Sequence, residues 1–211
     1  MTNIIQGNSY FGSSVYTVDM PEFLGVASTV AKEFLQNNPA EISELYPVKM
    51  SGNMFMDERL MGFCQFTADS ARKILDNQGY AINLFNMYFS DMWTQEHHKS
   101  SGMEQHIHGA GIQMVGFYFL EVPKNSSRVL FHDPNPAKVI SGLPEKDVTQ
   151  VTPASTLINY EPKAGQFIFT NAWLPHSFTK NPSDEPLKFI HFNLGVELIL
   201  QNNQQPTVEV I

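Results

Sequence analysis

The stretch EQHIHG, Glu104 to Gly109, sets two histidines two residues apart. Residues i and i+2 share a face of a strand but lie well apart around a helix. Helical zinc sites use i and i+4 for that reason. His106 and His108 can therefore grip one ion only where the chain is extended. A dense β run, MVGFYFLEV, follows at once, so the pair sits at a strand end or in the turn entering the next strand, where a barrel mouth lies. A third histidine, His176 in NAWLPHSF, ends a second strand, GQFIFT, and is held by Pro175. Two ligands from one strand and a third from a distant one make a facial set that leaves three positions of an octahedral ion open. Imidazole suits Fe, Zn, Cu and Ni, and the open face suits Fe(II) oxygen chemistry. The liganding imidazole is neutral, so the other nitrogen of each ring should find an acceptor.

The remaining histidines read more plainly. His97 and His98 in EHHK stand among Glu96 and Lys99 and fit a solvated loop. His132 in FHDP reads as a turn residue. His191 in LKFIHFN lies on a late strand; it could face a cavity, but a structural hydrogen bond is the simpler role. Cys64 in GFCQF reads as a small buried apolar residue. No nucleophile-elbow, phosphate-loop or dinucleotide fingerprint occurs.

These candidates need a scaffold. The first third reads mainly helical. DMPEFLGVASTVAKEFLQNN opens on Asp19 and Pro21 as start signals and carries apolar residues at helical spacing. ADSARKILDNQGY is a second amphipathic helix, stopped by Gly79. From Tyr80 the texture turns to short strands separated by turn signals: YAINLFNMYFSDMW, MVGFYFLEV, SRVLFHDP, TLINYEP, KAGQFIFTN and LKFIHFNLGVELIL. That pattern predicts a mainly β chain of α+β class, a sandwich or barrel with supporting helices at its N-terminal end. Residues 1–80 form the helical support and 81–200 the β core of one domain. NPAKVISGLPEKDVTQVTPAS reads as a long polar connection, a loop or mobile lid. QNNQQPTVEVI reads as a tail or last edge strand, and the long β C-terminus could pair across a homodimer.

Composition narrows the function. The 211 residues include 16 Phe, 7 Tyr and 10 Met, enough for a core of large side chains. The net charge of −8, without any Lys/Arg cluster, argues against nucleic acid and anionic membrane surfaces. No apolar run is long enough to span a bilayer. The N-terminus shows no basic-then-apolar leader. The single cysteine excludes an internal disulfide, and a reducing, cytoplasmic setting is expected.

The segments HIHGAGIQMVGFYFLEVPKNSSRVLFHDP, PKAGQFIFTNAWLPHSF and LKFIHFN resemble one group of bacterial and phage Fe(II)/2-oxoglutarate-dependent oxygenases of the double-stranded β-helix (jelly-roll, cupin-like) superfamily. That group carries an HxH pair, an SGxYY strand, a FPSWLPHxV segment and a closing RxSxxFN strand. The resemblance runs from about Ala81 to Asn193. It implies Fe(II) on His106, His108 and His176, with 2-oxoglutarate as cosubstrate and no catalytic residue beyond the metal ligands. His108 stands where many relatives have Asp, which leaves the site one negative charge poorer and keeps zinc, nickel and copper in play. The resemblance also implies a cation for the distal carboxylate of 2-oxoglutarate, because a carboxylate entering a low-dielectric pocket otherwise loses its solvation uncompensated. With FN aligned, that position falls on Leu187. Lys188 is one residue late, on the opposite strand face unless a bulge restores it. Lys188 is the candidate anchor, and Tyr118 could offer a phenol to the same carboxylate.

The implied activity is hydroxylase-type oxidation of a small-molecule or peptidyl substrate, releasing succinate and CO2. Two rivals stand beside it. A cupin-type metalloenzyme without 2-oxoglutarate would usually carry a Glu four or five residues after HxH, where this chain has Ile112 and Gln113. A non-catalytic barrel would keep the fold without turnover.

Overall fold

This computed structural model describes residues 11–38 and 42–199. The reading of residues 201–211 as a tail or edge strand therefore lies outside the described residues.

The strands form two antiparallel sheets facing one another. The larger contains six strands in the order β1 (Val15–Asp19), β8 (Gln166–Asn171), β5 (Ile112–Glu121), β10 (Leu187–Leu198), β3 (Phe85–His97) and β2 (Val48–Met50). The smaller contains β4 (Met103–His106), β9 (His176–Phe178), β6 (Val129–His132) and β7 (Leu157–Tyr160). Two helices, α1 (Leu24–Gln36) and α2 (Met61–Asn77), cover the outer face of the larger sheet. This is the double-stranded β-helix that the resemblance implies, with the supporting helices that the sequence pattern predicts.

The central strands are apolar on both faces because both faces are covered. On β5, Met114, Tyr118 and Leu120 pack toward the helices with Phe63, Ile74 and Phe167. Phe117 and Phe119 of the same strand point the other way, into the space between the sheets, with Val129, Phe131, Phe178, Leu187 and Phe189. Alternation along β10 separates the same two layers: Ile190, Phe192 and Leu194 face the helices, and Leu187 and Phe189 face the smaller sheet. Gly116 is required where Phe192 crosses β5, since a Cβ there would meet the Phe192 ring at 2.4 Å.

Several local expectations are corrected. Asp19 does not cap the first helix. It ends β1, and its carboxylate accepts from the Gln166 side chain at 2.7 Å; a 3₁₀ turn, Pro21–Phe23, leads into α1 instead. The second helix starts at Met61, seven residues before ADSARK, after a turn (Glu58–Leu60) in which the Arg59 amide donates to the Asp57 carboxylate. Its end matches the sequence reading. Gly79 adopts φ +92°, and the amides of Gly79 and Tyr80 return to the carbonyls of Asp76 and Leu75, satisfying the last turn. The N-terminal segment also supplies β1 and β2, the two edges of the larger sheet, which the helical reading omits. The polar connection from Asn135 to Ser155 joins β6 to β7. Lys138 ties it, pairing with Asp133 at 2.8 Å and donating to the Ser155 carbonyl at 2.8 Å. Among the described residues, no helix is long and apolar enough to cross a membrane.

Candidate metal centre

The three histidines singled out by spacing meet at one end of the inter-sheet space. His106 is the last residue of β4 and His176 the first of β9, and the two are register partners across the sheet. His108 lies just beyond the strand end rather than on it. Its amide donates to the Ala172 carbonyl at 3.0 Å, which keeps the chain extended enough for both imidazoles to share a side. One nitrogen from each of the three rings lies within 4.8 Å of the others. Metal–nitrogen bonds run to about 2.1 Å, so small side-chain adjustments close the set on an ion.

Hydrogen bonds select which nitrogen is offered. His176 Nδ1 donates to the Leu174 carbonyl at 3.0 Å, and His106 Nδ1 donates to the Glu104 carbonyl at 2.8 Å. Each bond fixes the tautomer that leaves Nε2 with a lone pair. Nε2 of His176 and Nε2 of His108 are both buried, with no hydrogen-bond partner among the described residues. Burial pushes the pKa of His176 down to about 4. It does the same to His108, helped by His106 nearby and opposed by the Asn193 side chain. Both rings are thus neutral near pH 7, which is the form a metal needs. The donor set, the neutral rings and the orphaned nitrogens fit a divalent transition metal.

A fourth imidazole borders the site. His191 on β10 is fully buried, stacks on Trp93 at 4.4 Å and lies 5.1 Å from the His108 ring, centroid to centroid. It faces the interior, and its Nδ1 finds no partner, so the structural hydrogen bond expected of it is not seen at that atom. His97 is corrected outright. It is a fully buried residue at the end of β3, wedged edge-on between Phe178 and Phe189, with Nε2 on the Gln95 side-chain oxygen at 2.9 Å. Strand parity carries it inward; its charged neighbours in sequence misdirect the loop reading. His98 is half-buried and lies 3.5 Å from Glu96. His132 ends β6, where its Nε2 meets the Ser177 hydroxyl at 2.8 Å.

The two candidate anchors for 2-oxoglutarate do not reach this end of the interior. Lys188 sits on the helix side of β10, 3.1 Å from Glu121 and 3.5 Å from Glu96. Burial disfavours its charge, but the two carboxylates outweigh that and raise its pKa. The pairing with β5 does bulge between Lys188 and Phe189, yet the bulge leaves Lys188 facing outward. Tyr118 also faces the helices. It packs on Phe63 and Phe167, and its hydroxyl donates to the Met20 carbonyl at 2.9 Å. The inward position is Leu187, fully buried beside Phe189 in the apolar layer. Sequence reasoning finds the triad but not the inward set on β3, Trp93, Gln95 and His97, whose only signal is register against β10.

Comparison with known proteins agrees with this geometry. Residues 91–193 match a family model described as "Putative 2OG-Fe(II) oxygenase". No curated protein matches the chain in sequence. Among solved structures, a prolyl-4-hydroxylase from Pseudomonas putida superposes with a TM-score of 0.57 at 11% identity, over 87% of this chain and 93% of that one. HygX from Streptomyces hygroscopicus, solved with nickel and 2-oxoglutarate bound, gives a TM-score of 0.57 at 9% identity, over 87% and 83%. The viral collagen prolyl hydroxylase of Paramecium Bursaria Chlorella virus-1, in complex with 2-oxoglutarate, gives 0.56 at 12% identity, over 87% and 96%. At these identities the structural likeness establishes the fold, and the sequence match over residues 91–193 shows a similarity to the oxygenase family within it. Fe(II) and 2-oxoglutarate are the cofactors of that family, and the three histidines of this chain could hold the metal. The chain thus has the fold of these structures, and its residues 91–193 are similar to the 2-oxoglutarate–Fe(II) oxygenase family.

Proposed function

We propose that this protein is an Fe(II)- and 2-oxoglutarate-dependent dioxygenase that oxidises an uncharged, largely apolar portion of a small-molecule or peptidyl substrate. The observation that carries the reading is the convergence of His106, His108 and His176, two of them with buried Nε2 atoms left without a partner. When bound, iron(II) with 2-oxoglutarate supplies the oxidising chemistry: dioxygen is consumed, 2-oxoglutarate leaves as succinate and CO2, and the second oxygen atom goes to the substrate. The chain's own part is to orient and to exclude water. The Leu174 and Glu104 carbonyls hold two of the rings, and Phe117 packs 5.7 Å from His176 and 4.8 Å from His191 as a dry wall.

The substrate portion is inferred from a cavity of about 370 Å³ that opens beside His108. Tyr80, Ile82, Phe85, Ile112 and Trp173 line it, and no charged side chain does. Such a wall accepts apolar groups and disfavours an unpaired charge.

The test is turnover. Fe(II) and 2-oxoglutarate together should give oxygen uptake and succinate release, and His176→Ala should give neither. Succinate release no greater than that of the His176→Ala variant would contradict the proposal. One observation favours a second reading, a metal centre working without 2-oxoglutarate: Leu187 and Phe189 present no cation to the interior.

A further inference from the structure

The turn between β8 and β9, Asn171 to Leu174, supports two of the three candidate ligands and presents one side chain to the apolar cavity. It is closed by the Leu174 amide, which donates to the Asn171 carbonyl at 3.0 Å. The Ala172 carbonyl takes the His108 amide at 3.0 Å, and the Leu174 carbonyl takes His176 Nδ1 at 3.0 Å. Both ends are pinned. The Asn171 and Gln78 side-chain amides exchange hydrogen bonds at 2.9 and 3.0 Å, and the Pro175 carbonyl accepts from the His132 amide at 2.9 Å. Between the two supporting carbonyls stands Trp173, 43% exposed, on the wall of the cavity of about 370 Å³ that His108 also lines.

We propose that this cavity takes a flat, uncharged ring, and that Trp173 is the specificity-determining residue that couples the seating of that ring to the metal ligands. This deepens the substrate-cavity reading above and rests on it. An apolar cavity of roughly 150 Å³ admits benzene, so this one has room for two fused rings. Tyr80, Phe85 and Trp173 line it, and aromatic walls attract a flat ring beyond what a puckered one of similar area gains. Gln113 adds a polar contact. Its side-chain oxygen accepts from the Val196 amide at 3.0 Å, which leaves its NH2 to donate to an oxygen on the ring.

The coupling follows from what Trp173 is attached to. The three ligand nitrogens lie within 4.8 Å of one another. On an octahedral ion, adjacent nitrogens bonded at about 2.1 Å stand roughly 3 Å apart. Closing on a metal therefore draws on the Ala172 and Leu174 supports, and a ring seated against Trp173 fixes the same four residues. Whichever binds first orders the turn, and the second finds it ordered. Each should tighten the other by the same factor.

The probes are 2-naphthol and decahydro-2-naphthol, which share a carbon skeleton and a hydroxyl but differ in flatness. Each is titrated by calorimetry into the Zn(II)-loaded parent, Trp173→Leu, Trp173→Phe and Tyr46→Leu; Tyr46 is an aromatic residue of a separate cavity lined by His106. The parent should bind 2-naphthol about two- to tenfold more tightly than the saturated probe. Trp173→Leu should lose that preference, and Trp173→Phe and Tyr46→Leu should keep it. Zn(II) is then titrated with and without saturating 2-naphthol. Zn(II) affinity of the parent should rise about fivefold or more, matching the gain in 2-naphthol affinity on Zn(II) loading, and Trp173→Leu should show no rise. Equal binding of the two probes by the parent overturns the ring assignment, and an unchanged preference in Trp173→Leu overturns the role of Trp173. Zn(II) affinity indifferent to 2-naphthol overturns the coupling. If the parent binds no Zn(II), the metal reading falls and the coupling with it, while the two probes still decide the ring assignment on the metal-free protein.

Discussion

The two ends of the inter-sheet space are built from the same strands and are chemically opposite. At one end β9 presents His176, and β10 and β5 present His191 and Phe117. Two to four residues away, β9 presents Phe178 and β10 presents Phe189 and Leu187, with the Phe178 and Phe189 rings stacked at 4.9 Å. The phenylalanine end is mainly apolar area removed from water, with His97 Nδ1 and, next to Val129, Ser127 Oγ as buried polar atoms without a partner among the described residues. The histidine end is different. It buries ring nitrogens of His108, His176 and His191 without partners, and each costs free energy unless something outside the chain supplies the missing interaction. That imbalance marks the histidine end as the place where a metal and small molecules are handled. The other end holds the walls in place.

The comparison can be broken from either side, and the largest effect should come from the triad. His176→Ala should abolish tight Fe(II) binding, while His97→Ala and His98→Ala should retain it; anaerobic calorimetry with Fe(II) checks this. Equal affinity in all three would remove the histidine end's special status. Next, Phe189→Ala should lower unfolding stability by about 3–5 kcal/mol through the cavity it leaves. Its folded fraction should still bind one metal, as denaturant titration with metal analysis would record.

A third effect depends on pH. His97 is neutral and buried, with its pKa held at about 4, below its ordinary 6.5, by burial first and by His98 second. The unfolded chain therefore binds a proton that the folded chain refuses. The stability this residue contributes is fully present above about pH 6.5 and is lost as pH falls toward 4. At about 1.4 kcal/mol per pH unit, the loss is on the order of 3 kcal/mol by pH 4. His97→Gln should flatten that part of the metal-free protein's stability curve, measured by urea unfolding from pH 7 to 4. The smallest effect belongs to Lys188→Met. It breaks partly exposed ion pairs with Glu96 and Glu121 and should cost no more than about 1 kcal/mol.

The metal triad and the β-helix around it are legible in the amino-acid sequence alone. The i, i+2 spacing of His106 and His108 demands extended chain, and strand parity is simple enough to read from spacing. His176 joins them because WLPH follows a strong strand. Lys188 and Tyr118 are harder, because the side on which a residue falls depends on register. One bulge is enough to make parity ambiguous, and where it falls is set by pairing with β5. His97 is obscured for a related reason. Its charged neighbours suggest solvent, whereas its cross-strand partner Leu187, invisible in the local sequence, carries it inward. β1 and β2 leave little trace because each is short and belongs to a sheet whose other strands come much later in the chain.

The most direct test of the metal end is an anaerobic Fe(II) titration followed by 2-oxoglutarate, watched by visible absorption. A charge-transfer band that appears only with both present, and is absent in His176→Ala, is the expected result. No metal binding by the intact chain would contradict the account and leave His106, His108 and His176 as three histidines that merely share a barrel mouth.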